Sequence, residues 1–326
     1  MNRWSAQRRP FLFFTDFEGN QGSVIPLDEV DDRTLRFQFP RANNKPSTLP
    51  ALKVYPQGFL EKDPISFAVY EQAFAQVQKE INDGNSYLLN LAFPTKIQTN
   101  LSLFEIFAHT HATYSIWWKD HFTFFSPESF VQIKDGHISS YPMKGTIDAS
   151  IPEAADRLLN NRKEKAEHAT IVDLIRNDLS KIAKKVRVDQ YRYLSKLATD
   201  QGELLQTSSK IRGELPPDYH QQLGDLFFEL LPAGSISGAP KAKTLDIIKA
   251  AEAYDRGFYT GVAGLYDGKN LDSCVMIRFV EQQDDGLIFK SGGGITAQSQ
   301  ALEEYEEMIR KVYLPFQFNE SLIECL

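Results

Sequence analysis

Polar and apolar positions alternate along this chain in two rhythms, and the changes of rhythm divide it into elements. From Ser66 to Asn82 apolar residues recur at helical spacing (Phe67, Val69, Tyr70, Phe74, Val77, Ile81), and Gly84 is placed to end that helix. A strand is expected from Tyr87 to Phe93. Between residues 114 and 142 the pattern shortens into aromatic and β-branched runs: Tyr114 to Trp118, Phe122 to Phe125, Phe130 to Ile133 and Ile138 to Tyr141. Asp135-Gly136, between the last two, is a hairpin signal. Helical periodicity returns over residues 152–184, 219–231 and 239–253. Strands follow over 261–266, 271–280 and 287–291, joined through Asp267-Gly268 and Asp284-Asp285-Gly286, and a helix over 300–314 closes the pattern. Residues 40–50 carry three prolines and two asparagines among polar neighbours and read as a surface loop after a short N-terminal strand unit. Meanders interrupted by helix pairs do not match a Rossmann or barrel alternation. The pattern predicts an α+β fold, a single large domain of antiparallel sheets with helices.

Composition sharpens this. With 326 residues, 42% of them hydrophobic, the chain can bury a large core, and 23 Phe favour a β-rich one. The net charge is −7 with Lys and Arg scattered, so no basic stripe tracks a phosphate backbone and nucleic acid is not an expected partner. The apolar run Phe11 to Phe14 is too short for a signal peptide core or a membrane span, so a cytoplasmic protein is expected. Cys274 and Cys325 lie far apart without a His-rich neighbourhood, which argues for neither a disulfide framework nor a zinc site. Cys274 is expected in a strand, and both thiols reduced.

Several constellations carry candidate chemistry. Lys144 stands in Tyr141-Pro142-Met143-Lys144-Gly145-Thr146. Alone, a Lys before Gly is an ordinary solvated loop residue; buried, its amine can become a nucleophile. Glu164 and Glu167 are three residues apart on a helix, and Glu304 and Glu307 repeat that spacing near the end. Each pair taken separately suits a solvated helix face. If both pairs point into one cavity, four carboxylates need a cation, and Mg²⁺ suits hard oxygens. Gly292-Gly293-Gly294 offers either a nest of backbone N–H groups for an anion or a flexible strand exit. Arg278 lies in an otherwise apolar strand, where it either grips an anionic partner or faces water at an edge. Tyr259 could add a hydroxyl to the same anion or simply fill the core. Ser237, in Gly234-Ser235-Ile236-Ser237-Gly238-Ala239-Pro240-Lys241, is a possible helix cap or ligand hydroxyl.

Taken together these stretches resemble the chorismate-utilising enzymes, and within them the aminodeoxychorismate synthase component I branch. The motifs are Ser126-Pro127-Glu128, Pro142 to Thr146, Glu167 to Leu179, Gly234 to Lys241, Arg256 to Gly261, and Gly292 to Ile295 followed by Glu304 to Lys311; in order, they cover residues 65–315. The aminodeoxychorismate branch has its nucleophilic lysine where Lys144 stands, and anthranilate synthases have alanine there. Isochorismate and salicylate synthases place a lysine base at the position matching Leu88, and leucine cannot activate water.

The resemblance implies a cytoplasmic Mg²⁺-dependent transferase that aminates chorismate at C4, with ammonia from a separate glutamine amidotransferase subunit, for 4-aminobenzoate and folate synthesis. It implies Lys144 as nucleophile and Glu128 as its base. It implies Glu167, Glu307, Glu164 and Glu304 around the metal. Arg278, Tyr259, Ser237, Gly293, Lys311, Thr146 and Gln206 are implied on the substrate side. Gln206 replaces the histidine usual in the family, and Gln can hydrogen-bond a leaving hydroxyl but not readily give it a proton. The N-terminal stretch lacks the family's tryptophan-pocket pattern, so feedback control is not expected. The alternatives are the large component of anthranilate synthase and a degenerate chorismate-binding subunit.

Overall fold

Phe11 to Thr15 is buried at all five positions, the pattern of a strand covered on both faces. The computed structural model describes residues 1–48, 59–199, 202–238 and 240–314, so Cys325 and the end of the loop at residues 40–50 lie outside the described residues. In chain order the first elements are α1 (Asn2–Ala6), β1 (Phe11–Thr15), β2 (Gly22–Pro26), β3 (Leu35–Phe39), β4 (Ala42–Asn43) and β5 (Leu60–Pro64). Next come α2 (Phe67–Asn82), β6 (Leu89–Thr99), α3 (Leu103–His109), β7 (Tyr114–Trp118), β8 (Phe122–Ser126), β9 (Ser129–Lys134), β10 (His137–Ser140) and β11 (Met143–Asp148). Then follow α4 (Ala154–Asn160), α5 (Arg162–Ile182), β12 (Lys184–Thr199), β13 (Gly202–Glu214), α6 (Leu223–Phe228), α7 (Gly234–Ser237) and α8 (Lys241–Glu252). Last are β14 (Val262–Tyr266), β15 (Leu271–Val275), β16 (Phe279–Gln283), β17 (Gly286–Ile295) and α9 (Ala301–Arg310).

Among the described residues nine strands form one sheet, ordered β11-β13-β10-β9-β15-β14-β1-β2 with β12 on the far side of β13, and eight form the other, β4-β3-β7-β8-β16-β17-β6-β5. Leu12, Phe14, Ala263 and Leu265 of the first sheet pack against Leu35, Phe37, Ile116, Phe122 and Phe124 of the second. Each fully buried Leu or Phe contributes about 1.5–3 kcal/mol relative to exposure, and this seam holds the sheets together. The α+β architecture expected from the pattern is the one observed.

Local chemistry accounts for the element ends. Ser66 caps α2, accepting from the Val69 N–H at 3.4 Å, and Ser102 with Glu105 forms a capping box on α3. Asp135 and Gly136 both take positive φ, 49° and 76°, as the hairpin between β9 and β10 requires.

Three expectations are corrected, and one element was missed. The helix over 152–184 is two helices, broken at Asn161, whose side chain caps α5 by accepting from the Glu164 N–H at 3.1 Å. The stretch 219–231 holds a single 3₁₀ turn, Tyr219–Gln221, and the short α6. The strand over 271–280 breaks at Met276, Ile277 and Arg278, and its halves belong to different sheets. The hairpin of β12 and β13 was not anticipated at all.

Candidate functional site

Twice, at neighbouring places, the chain passes from one sheet to the other. Pro127 and Glu128 lead from β8 to β9, and Met276 to Arg278 lead from β15 to β16. The two passages are laced together: the Val275 N–H donates to the Glu128 carbonyl at 3.2 Å, and the Phe125 N–H to the Arg278 carbonyl at 3.3 Å. Ser126 Oγ also accepts from the Glu128 N–H at 3.0 Å. Glu128 and Arg278 therefore sit on rigid backbone at the mouth of the seam. Arg278 is thus at a corner with φ 53°, not inside a strand, and its guanidinium lies 5.3 Å from the Tyr313 ring centroid.

Lys144 is on β11, opposite Thr207 of β13. The register slips between Lys144 and Thr146 around Gly145, which has φ 78°. The Thr207 hydroxyl donates to the Lys144 carbonyl. This bulge turns the ammonium onto α5, where Lys144 Nζ lies 3.2 Å from Glu167 Oε2. The Lys144 side chain is 28% exposed, so it is half-buried and paired, not a buried amine without a counter-charge.

The glutamates come from two helices. Asn161 starts α5 so that Glu164, Glu167, Ile171, Ile175 and Asp178 face one cavity of about 590 Å³. Glu304 and Glu307 of α9 face it from the other sheet, with Lys311 just beyond. Lys311 Nζ is 2.7 Å from Glu307 Oε1 and donates to the Gly292 carbonyl at 2.9 Å. The glycine triplet runs inside β17, paired with Ala92, Leu91 and Asn90 of β6. Its bareness permits close approach. A Cβ at Gly293 would come within 3.1 Å of Glu304 Oε2 and 3.8 Å of Glu307 Oε1, and one at Gly294 within 3.6 Å of Lys144 Nζ. Lys144 and the α9 carboxylates thus approach neighbouring glycines of one strand.

Charge follows this geometry. Burial pushes the Glu128 carboxyl above its ordinary range, against the lowering influence of a Ser235 hydrogen bond and the Lys144, Lys311 and Arg278 charges. For Glu307 burial is again the largest influence and raises it, but Lys311 with Lys144 and Arg310 outweighs it and holds the carboxyl below its usual value. His168, beside Glu167, is fully buried and turned away, Nε2 lying 2.6 Å from Ser209 Oγ. Burial, with Arg192 and Lys144, holds its pKa down to about 4, so it is neutral at pH 7 and ties α5 to β13.

Among the described residues, no three His, Cys, Asp or Glu converge into a ready-made cation cage. Mg²⁺ needs only one or two carboxylates because it keeps most of its waters. The four glutamates offer hard oxygens alone, a donor set that fits Mg²⁺.

The cavity walls gather most of the residues singled out from sequence: Lys144, Thr146, Glu128, Glu164, Glu167, Gln206, Arg278, Glu304, Glu307 and Lys311. Thr146 and Gln206 face each other across β11 and β13. Gly293 is behind the α9 carboxylates. Gly293 and two further residues are not on the walls. Ser237 is fully buried and donates to the Ala233 carbonyl at 3.2 Å, and Tyr259 is buried beside Phe279. Ser235, two residues earlier, does line the cavity and donates to Glu128 Oε1 at 3.0 Å. Asn90 and Asp178 also line the cavity, and sequence reasoning missed both. Asp178 had a signal, since it continues the helical face of Glu164 and Glu167.

Residues 28–316 match the family model described as chorismate binding enzyme. An uncharacterized PabA-like protein of Pasteurella multocida is 50% identical over 314 residues, 96% of this chain and 96% of that protein. Aminodeoxychorismate synthase component 1 of Salmonella typhimurium is 29% identical over 318 residues, 90% of this chain and 66% of that protein. Among solved structures, anthranilate synthase component I from Streptococcus pneumoniae superposes with a TM-score of 0.69 at 25% identity, over 80% of this chain and 60% of that one.

Proposed function

Because the chain belongs to the chorismate binding enzyme family, we propose that it aminates chorismate at C4 to give 4-amino-4-deoxychorismate, using ammonia from a separate glutamine amidotransferase subunit. One observation carries this reading: an amine, Lys144 Nζ, stands 3.2 Å from Glu167 in a cavity that four more glutamates, Arg278 and Lys311 also line. Such an amine can attack carbon once it is neutral.

Attack needs the pair with Glu167 to open and the lysine proton to leave, and Glu128 is the base that receives it. The Nζ–C2 bond forms as the ring double bonds shift and the C4–O bond breaks. Gln206 and Thr146, on the β11–β13 wall, hydrogen-bond the substrate there. Ammonia then bonds to C4, the double bonds shift back, and the lysine leaves C2, so hydroxyl is exchanged for amine with release of water. Arg278 and Lys311 hold the enolpyruvyl carboxylate; a dianionic substrate needs cationic partners before a nucleophile can approach. Glu167 and Glu307, with Glu164 and Glu304 beside them, would hold Mg²⁺, which when bound neutralises the ring carboxylate.

The test is a product assay. The purified chain, given chorismate, Mg²⁺ and ammonium, is expected to form 4-aminobenzoate only when an aminodeoxychorismate lyase is added. Anthranilate fluorescence without the lyase would overturn the assignment.

A further inference from the structure

Glu128 does its proposed work only if its carboxylate is aimed at the cavity and able to take a proton, and its surroundings set both conditions. Its backbone has no slack, since Ser126 Oγ accepts from its N–H at 3.0 Å and its carbonyl accepts from the Val275 N–H at 3.2 Å. Its side chain is reached by the Ser235 hydroxyl, which donates to Oε1 at 3.0 Å. Ser235 and Glu128 both line the cavity.

Ser235 is itself held in place. Its neighbour Gly234 lies so close to Asp178 that a Cβ there would come within 2.8 Å of Asp178 Oδ2. Asp178 is anchored by Lys241 at 2.7 Å and Lys181 at 2.9 Å. On the other side Gly238 is packed against the Leu88 carbonyl. The two serines of the motif divide the work: Ser237 closes its own turn onto Ala233, and Ser235 points at the carboxylate.

We propose that Ser235 is the positioning residue of this site, aiming Glu128 Oε1 into the cavity and sustaining its charged form through a donated hydrogen bond. The inference rests on the reading of Glu128 as the base. A hydrogen bond to the ionised form favours that form. The other charged or titratable groups facing Glu128 are Lys144 of β11, Lys311 after α9, Arg278 at the corner, Tyr259, and Cys274 of β15. None of these is changed by substituting Ser235.

The experiment is the pH–rate profile of chorismate consumption for the intact chain with Mg²⁺ and saturating ammonium, compared with Ser235→Ala, Ser235→Thr and Glu128→Gln. In Ser235→Ala the acid limb of kcat moves to higher pH by about one unit, the size expected for one hydrogen bond to a charged group. KM for chorismate stays within about twofold and rate recovers at alkaline pH, because the base works once ionised. Ser235→Thr restores the original limb. An unmoved limb in Ser235→Ala, or a raised KM with an unmoved limb, overturns the proposal while leaving Glu128 as base intact. Full activity in Glu128→Gln overturns the base assignment itself, and the proposal with it.

Discussion

Lys144 carries a cost that its neighbours explain. An ammonium only 28% exposed is tolerable because Glu167 balances it, and in return the lysine balances one of four clustered carboxylates. Removing it takes away the group proposed to bond carbon but none of the anion-binding groups across the cavity. Lys144→Ala is therefore expected to lose turnover by at least about 10³-fold, the scale on which nucleophile deletions act, while chorismate affinity by calorimetry changes only a few-fold; equal loss in both would remove the covalent role. The two glutamate pairs were legible in sequence because their spacing is local, residues three apart sharing a helix face, whereas Glu128, Thr146, Gln206 and Lys311 were named only through the resemblance of their motifs. Ser235 was not legible beside Ser237, because which hydroxyl of this short turn faces the cavity depends on packing against Asp178 and Leu88, which the motif does not encode.

At the level of elements, β17 shows how a strand can run through glycines that the sequence allows to be read as a strand exit. Three consecutive glycines weaken a strand, yet β17 continues through them because β6 supplies a partner at every position from Leu89 to Ile97. A side chain at Gly292 would meet the Leu91 carbonyl at 2.4 Å and Ala92 Cβ at 2.5 Å, and backbone cannot step aside. Gly292→Ala is accordingly expected to destabilise the protein by about 1–3 kcal/mol, the usual cost of overpacking, read as a lower urea midpoint with unchanged slope. The break at Met276 to Arg278 stayed hidden for a different reason. Met276 and Ile277 prolong the apolar run, and nothing local marks a strand that changes sheets. The β12–β13 hairpin escaped because its alternation is loaded with charge and interrupted by register shifts near Lys184, Val188 and Gln190.

Across the whole molecule, the first strands are stitched to the later part of the chain by a polar relay. The Arg8 guanidinium meets His220 Nε2, His220 Nδ1 lies 2.7 Å from the Tyr266 hydroxyl, and that hydroxyl donates to the Gly268 carbonyl at 2.8 Å. Burial, then the Arg8 charge, holds the His220 pKa down to about 4 from 6.5. The unfolded chain then binds a proton that the folded one does not, so stability is complete above pH 6.5 and is lost as pH falls toward 4. His220→Gln should flatten the fall in urea midpoint between pH 7 and pH 4.5, and an unchanged slope would mean the relay does not titrate with folding. Among the described residues no helix is long and apolar enough to cross a membrane.

One consequence follows from the place of β11 at the margin of its sheet, where its one partner among the described strands is β13. A reactive group borne on an outermost ribbon can be exchanged without unthreading the hydrogen bonds behind it. Selection can therefore retool the chemistry at this spot by a single codon while the surrounding architecture is inherited intact.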